Sequence, residues 1–241
     1  MAKRYIDVFN GDADGLCALV QLRLANPQQS KLVTGVKRDI NLLKCISAEA
    51  GVHITVLDIS FEKNVVDVNR LLEQGSSIEY IDHHRTGKLI KHKSLECDFD
   101  LSAYTCTSLI VDKKLKGQYR EWAIVGAFGD NLSVVARQLG KQSSINESDL
   151  ELLEQLGLYL NYNGYGTSIE DLFFDPSELF KKIVEFDSPL DFVIQDKETF
   201  ITLASGYKED IQKAKESSII YQEQNIAIIE FPDEKWARRV S

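Results

Sequence analysis

The chain has 241 residues, 44% of them hydrophobic and 27% charged, with a formal net charge of -9. That length supports one large domain, or one domain plus a smaller piece, with enough core to stand without disulfides or a structural metal. The acidic balance argues against a broad basic groove for long nucleic acid, but it permits a small phosphorylated substrate, because bound divalent cations reverse the local sign of a site. No apolar run approaches the ~18 residues needed to span a bilayer. Residues 1–7 run straight into a strand pattern with Asp7 inside it, so no signal peptide is visible. Cysteines 17, 45, 97 and 106 show neither CxxC spacing nor short-range pairing. Cys17 and Cys45, in helix-like apolar patterns, read as small buried hydrophobes, and the expected compartment is the reducing cytoplasm.

In chain order, residues 4–9 read as a strand, followed by a glycine-containing turn and an apolar helix through Leu16, Ala18, Leu19, Val20 and Leu22 to Leu24. The unit repeats: strand at 31–36, helix at 40–50, strand at 52–57, helix at 65–72, strand at 77–81. This alternation predicts an α/β fold, a doubly wound, mainly parallel, Rossmann-like sheet with helices on both faces. Ligands of such sheets bind beyond the carboxyl ends of the strands.

From about residue 102 the pattern turns helical, over 103–115, 120–129, 149–160 and 176–184, with Ser102 and Asp149 as N-caps. Residues 161–166 read as a helix-to-helix turn whose tyrosines also offer aromatic contacts. A charged helix over 208–216 reads as a solvated linker, and 219–221 and 226–231 as two strands. Two strands do not make an independent domain. The expected division is therefore a domain over 1–205, with its sheet in 1–100 and helices in 101–205. Residues 206–241 then hold a linker helix and the first strands of an incomplete second small domain.

Chemistry-bearing residues fall at the strand ends. Asp82-His83-His84 follows one strand, Asn10-Gly11-Asp12-Ala13-Asp14-Gly15 another, and Asp58 a third, while Asp130 ends a small-residue helix carrying Gly126 and Gly129. The Asp12/Asp14 spacing lets two carboxylates reach two neighbouring ions, with Gly11 and Gly15 allowing the tight backbone path. Helix capping is the structural alternative for Asp12 and for Asp58, although Ser60 is available to cap the helix after Asp58. His53 reads as a packed histidine and His92 as a solvated one. Carboxylate and imidazole ligands without thiolate favour Mn²⁺ or Mg²⁺ over structural zinc. Two such ions activate a shared water for in-line phosphoryl displacement, and His84 and Arg85 beside them neutralise charge on the phosphate.

Over residues 5–135 these four ordered motifs resemble those of the DHH phosphoesterase superfamily. That family includes RecJ-like exonucleases, nanoRNases, cyclic dinucleotide phosphodiesterases, exopolyphosphatases and family II inorganic pyrophosphatases. The resemblance implies a two-manganese hydrolase. Asp12 would bind the first ion and Asp14 the second, Asp58 would bridge, and His83 and Asp130 would complete the second. Asp82 would support these ligands from outside, and His84 would contact the scissile phosphate. Asn10 stands where family members carry His or Asp as a further first-ion ligand. The Gly-Gly-x-His-like loop of the family's C-terminal domain has no counterpart, so residues 219–231 resemble only the start of that domain and the chain reads as truncated there.

The expected function is hydrolysis of a small phosphodiester, a short oligonucleotide or nucleotide-like molecule. The alternatives are an exopolyphosphatase or other phosphoanhydride hydrolase, and a nucleotide-binding regulatory module with little turnover. No long duplex nucleic acid and no membrane is expected as a partner, and a homodimer is left open.

Overall fold

Strands β1 (Arg4–Phe9), β2 (Ser30–Val33), β3 (Val52–Leu57), β4 (Ser77–Asp82) and β5 (Leu95–Phe99) pair in one sheet, all parallel, in the order β2-β1-β3-β4-β5. The structure is a computed structural model describing residues 4–47 and 50–241. Parallel neighbours need a crossover. Helix α1 (Ala13–Ala25) links β1 to β2, a 3-10 turn (Leu42–Cys45) lies between β2 and β3, and α2 (Phe61–Glu73) links β3 to β4.

The doubly wound parallel sheet is as expected. The helix expected over 40–50 is instead the short 3-10 turn, and residues 48–49 of that span lie outside the described residues. Cys45 is accordingly exposed rather than buried, while Cys17 is buried.

Side chains alternate across a strand, and the sheet splits its core that way. Phe9, Leu57 and Ile81 face one layer, with α1 residues such as Leu16 and Leu19. Val8, Val56 and Tyr80 face the other, packed with Leu43, Phe61 and Leu71.

The first layer is completed by α3 (Thr107–Lys114), α4 (Arg120–Gly129), α5 (Ser133–Gln142), α6 (Glu147–Asn163), α7 (Pro176–Ile183), α8 (Pro189–Gln195) and α9 (Lys197–Glu216). Helix α1 is buried along nearly its whole length between this layer and the sheet. Two helix starts differ from expectation. The N-cap of α3 is Cys106, because the Ser102 hydroxyl accepts instead from the Tyr104 amide in the preceding turn (3.2 Å). The N-cap of α6 is Asn146, whose Oδ1 accepts from the Asp149 amide (2.9 Å), and residues 161–163 continue that helix rather than forming a turn. The division expected at residue 205 falls inside the continuous α9.

Strands β6 (Ile219–Glu223) and β7 (Ile226–Ile229) form an exposed antiparallel hairpin. Helix α10 (Lys235–Val240) returns to the body of the protein. Arg239 binds Asp210 of α9 through Nε (2.6 Å), and Arg238 binds Asp171 through Nη2 (2.8 Å). No helix among the described residues is long and apolar enough to cross a membrane.

Candidate metal centre

Strand register sets the site. Phe9 pairs with Leu57, and Leu57 with Ile81, so β1 and β3 end level with the penultimate residue of β4. The next residues, Asn10, Asp58 and Asp82, therefore stand side by side. The register carries past the strands, with the Asn10 amide donating to the Leu57 carbonyl (3.3 Å) and the Asp58 amide to the Ile81 carbonyl (3.1 Å). Because β1 has β2 on one side and β3 on the other, the chain reverses its winding direction here. Crevices open at such switch points.

Asp12 is the N-cap of α1. Its Oδ1 accepts from the amides of Asp14 (3.1 Å) and Gly15 (3.2 Å). Glycine is required at 15, because a Cβ would lie 2.3 Å from the Asn10 carbonyl oxygen. Asp14 reaches the first turn of α3, where amides lack intrahelical partners. Its Oδ1 accepts from the Ser108 amide (2.7 Å) and its Oδ2 from the Thr107 amide (2.8 Å).

Asp58 accepts from the Thr107 hydroxyl (3.2 Å) and adopts φ 58°, a left-handed conformation that aspartate tolerates better than most residues. An outlier at a strand end is a mark of functional sites. Asp130 is the C-cap of α4. A carboxylate there faces the negative end of the helix dipole, so helix stability does not account for its presence.

His83 stands among these carboxylates. Its Nε2 lies 3.4 Å from Asp58 Oδ1, 3.8 Å from Asp130 Oδ2 and 3.9 Å from Asp14 Oδ2. These separations are too long for hydrogen bonds. Asp58, His83 and His84 offer ligand atoms within 4.8 Å of one another, and Asp14 and Asp130 form a second such group with Cys106. Beside it, His84 Nδ1 lies 2.7 Å from Asp82 Oδ1, and the buried Asp82 Oδ2 has no hydrogen-bond partner among the described residues.

Electrostatics points the same way. Burial, then the charges of Asp14, Asp12, Asp82 and Asp130, pushes the Asp58 carboxyl well above the usual range. Burial and Asp14 raise Asp130 to about 6, with His83 opposing. Burial also acts to raise Asp12, but the Lys37 ammonium and hydrogen bonds, one of them from Asp58, hold it below the ordinary value. His84 is raised chiefly by its hydrogen bond to Asp82.

Oxygen-rich ligands with one imidazole suit a hard divalent cation. Asp14, Asp58, Asp130 and His83 therefore fit one. Cys106 adjoins Asp14 and Asp130, but burial and then Asp14 push its thiol well up, so it remains protonated. Glu79, Glu96 and Asp98 also cluster, but Lys114 reaches all three (3.0, 3.4 and 2.6 Å), which makes that patch a satisfied surface network.

Of the sequence-derived residues, Asp12, Asp14, Asp58, Asp82, His83, His84 and Asp130 gather in this crevice. Asn10 is beside them, but its amide is engaged with backbone: Oδ1 accepts from the Asp12 amide (3.3 Å) and Nδ2 donates to the Lys37 carbonyl (3.2 Å). Arg85 is exposed and makes no ion pair among the described residues. His53 Nδ1 is hydrogen-bonding distance from Ser77 Oγ (2.8 Å), and His92 lies in a loop where its Nδ1 accepts from the Ser94 amide.

Sequence reasoning missed Lys37, Thr107 and Ser108. Lys37 follows β2, whose carboxyl end borders the same crevice, and that position was the available signal. The small polar run Cys106-Thr107-Ser108 opening a helix was the other.

Comparison with solved structures bears on the fold. A crystal structure of exonuclease RecJ bound to manganese matches with a TM-score of 0.57 at 14% identity, covering 88% of this chain and 64% of that one. RecJ from Thermus thermophilus in complex with Mn²⁺ matches with a TM-score of 0.51 at 16% identity, covering 88% and 37%. The fold is RecJ-like. The chain spans less than two thirds of either RecJ chain. Neither a protein-family model nor a curated protein matches the sequence.

Proposed function

We propose that the chain is a metal-dependent phosphoesterase of the DHH type, hydrolysing a small phosphodiester such as a short oligonucleotide or nucleotide-like molecule. The observation that carries this reading is His83 Nε2 standing within 3.4–3.9 Å of three separate carboxylates at the switch point of a parallel sheet. The manganese in the two RecJ structures of the same fold supports it.

A divalent cation, Mn²⁺ or Mg²⁺, held by Asp14, Asp58, Asp130 and His83 would supply a water of lowered pKa and polarise a phosphoryl oxygen. Thr107 and Ser108 hold Asp14 and Asp58 in orientation through their amides and hydroxyl. Asp82 fixes the ring of His84 and favours its protonated form, so that His84, with its side chain 47% exposed, donates to a phosphate oxygen. Arg85, exposed on the same loop, adds a guanidinium able to fold onto the phosphate.

The test is a panel of pApA, a cyclic dinucleotide and polyphosphate incubated with the full chain and Mn²⁺. Phosphodiester cleavage that is lost in Asp58→Ala supports the reading, and turnover unaffected by that change removes it. Preference for polyphosphate would move the substrate to phosphoanhydrides.

One observation favours a second reading, a nucleotide-binding regulatory module. Asn10 and Asp12 are both engaged by protein groups. Mn²⁺-dependent nucleotide binding without product would select that alternative.

A further inference from the structure

Lys37 is held by contacts from several directions. Its amide donates to the Gly164 carbonyl (2.8 Å), and its own carbonyl accepts from Asn10. Its ammonium lies 2.7 Å from Asp12 Oδ2, donates to Asn161 Oδ1 (2.8 Å) and sits 5.6 Å from the centre of the Tyr165 ring. A lysine fixed at its backbone and at its head is a placed charge, unlike a freely rotating surface lysine.

The crevice holds more carboxylates than one ion needs. Asp14, Asp58, Asp130 and His83 form one ligand group, and Asp12 lies beyond them, within hydrogen-bond reach of Asp58. Asp12 Oδ1 is occupied by helix amides, and its Oδ2 faces the Lys37 ammonium. A second cation on Asp12 and Asp58 would have to displace that ammonium or sit against a like charge. Asn10, the neighbouring neutral donor, has its amide oxygen turned to the Asp12 amide.

Resting on the phosphoesterase reading, we propose that the centre takes a single divalent cation, and that Lys37 Nζ fills the adjacent cation position on Asp12. A phosphate would then bridge the ion and a fixed ammonium. The expected two-ion centre becomes a one-ion, one-lysine centre.

The test is stoichiometry, using Mn²⁺ alone with the full chain. Equilibrium dialysis with metal analysis should saturate at one Mn²⁺ per chain, with the low-temperature paramagnetic resonance spectrum of an isolated ion. Lys37→Met, which removes the charge and keeps the bulk, should bind a second Mn²⁺ and show a spin-coupled pair. Lys37→Arg should remain at one. Two ions in the unmodified chain overturn the proposal, and that measurement needs no variant to fold. One ion in both the unmodified chain and folded Lys37→Met also overturns it, since Asp12 would then be no latent ligand. No Mn²⁺ binding at all removes the phosphoesterase reading beneath it, which is a distinguishable failure.

Discussion

Asp7, inside β1, and Asp58, just past β3, are both buried carboxylates, and the chain treats them in opposite ways. Asp7 receives the Arg23 guanidinium as a fork, Nε to Oδ2 at 2.7 Å and Nη2 to Oδ1 at 2.6 Å, with the Ser30 hydroxyl donating at 2.6 Å. Arg23 also donates to Thr55 (3.2 Å), so this network closes on itself, one charge against one. Asp58 has no Lys or Arg ion pair among the described residues and is instead surrounded by Asp12, Asp14, Asp82 and Asp130. A buried charge left unbalanced is costly, so it protonates or recruits a counter-charge. The closed network serves the fold. The open one is where the proposed cation would bind.

The sharpest way to break this contrast is Asp58→Ala. Mn²⁺ binding and turnover should fall by more than the roughly 10–100-fold that loss of a supporting residue costs. The metal-free protein should at the same time become harder to unfold in urea, because like-charge repulsion is relieved. Unchanged Mn²⁺ affinity in dialysis would falsify the assignment.

Arg23→Ala is the mirror experiment. It strands Asp7 without its partner and should destabilise by about 3–5 kcal/mol in urea unfolding. The folded fraction should still bind Mn²⁺ as the unmodified chain does, and weakened binding per folded molecule would mean the two networks are not separate.

Asp82→Asn keeps the shape but removes the charge that favours the protonated form of His84. A drop of roughly 10–100-fold in kcat/KM is expected, with Mn²⁺ stoichiometry unaltered. An effect on metal occupancy instead would place Asp82 among the ligands.

The smallest effect is pH dependence. Asp130 sits at about 6 in the folded chain against an ordinary 3.8. Between those values the folded state keeps a proton that the unfolded state has lost, so this contribution to stability is complete below 3.8 and disappears as pH rises through about 6. Asp58 contributes with the same sign. Melting temperatures taken without metal should therefore fall across that window, and saturating Mn²⁺, which replaces the protons, should flatten or reverse the slope. A metal-free protein that gains stability across the window would contradict the burial of these groups.

The sheet was legible in the sequence because β1, β3 and β4 are apolar runs with chemistry at their ends. β5, with the sequence Leu-Glu-Cys-Asp-Phe, was missed because it is an edge strand with charged residues facing outward. Residues 40–50 carry a helix-like apolar pattern, but Asn64 takes the backbone groups that would extend it. Its Nδ2 donates to the Ile40 carbonyl (2.6 Å), and its Oδ1 accepts from the Leu43 amide (3.4 Å). The carboxylates and imidazoles were legible for a different reason, since such residues at the ends of buried strands need partners. Lys37 was not, because a lysine after a short, half-exposed strand looks like ordinary surface until the fold places Asn161, Tyr165 and Asp12 around it.

The shared register of β1, β3 and β4 carries a consequence for how variants of this protein fail. A slip of one residue between two strands swaps the sheet face of every side chain along them. It would turn Ile81 or Leu57 out of its layer in the same step that pulls Asp82 or Asp58 off the crevice. Folding thus couples the sheet register to the placement of Asp58 and Asp82, and a chain that melts cooperatively at the normal temperature has these two correctly seated. Loss of function in such a chain is a fault of chemistry, not of assembly.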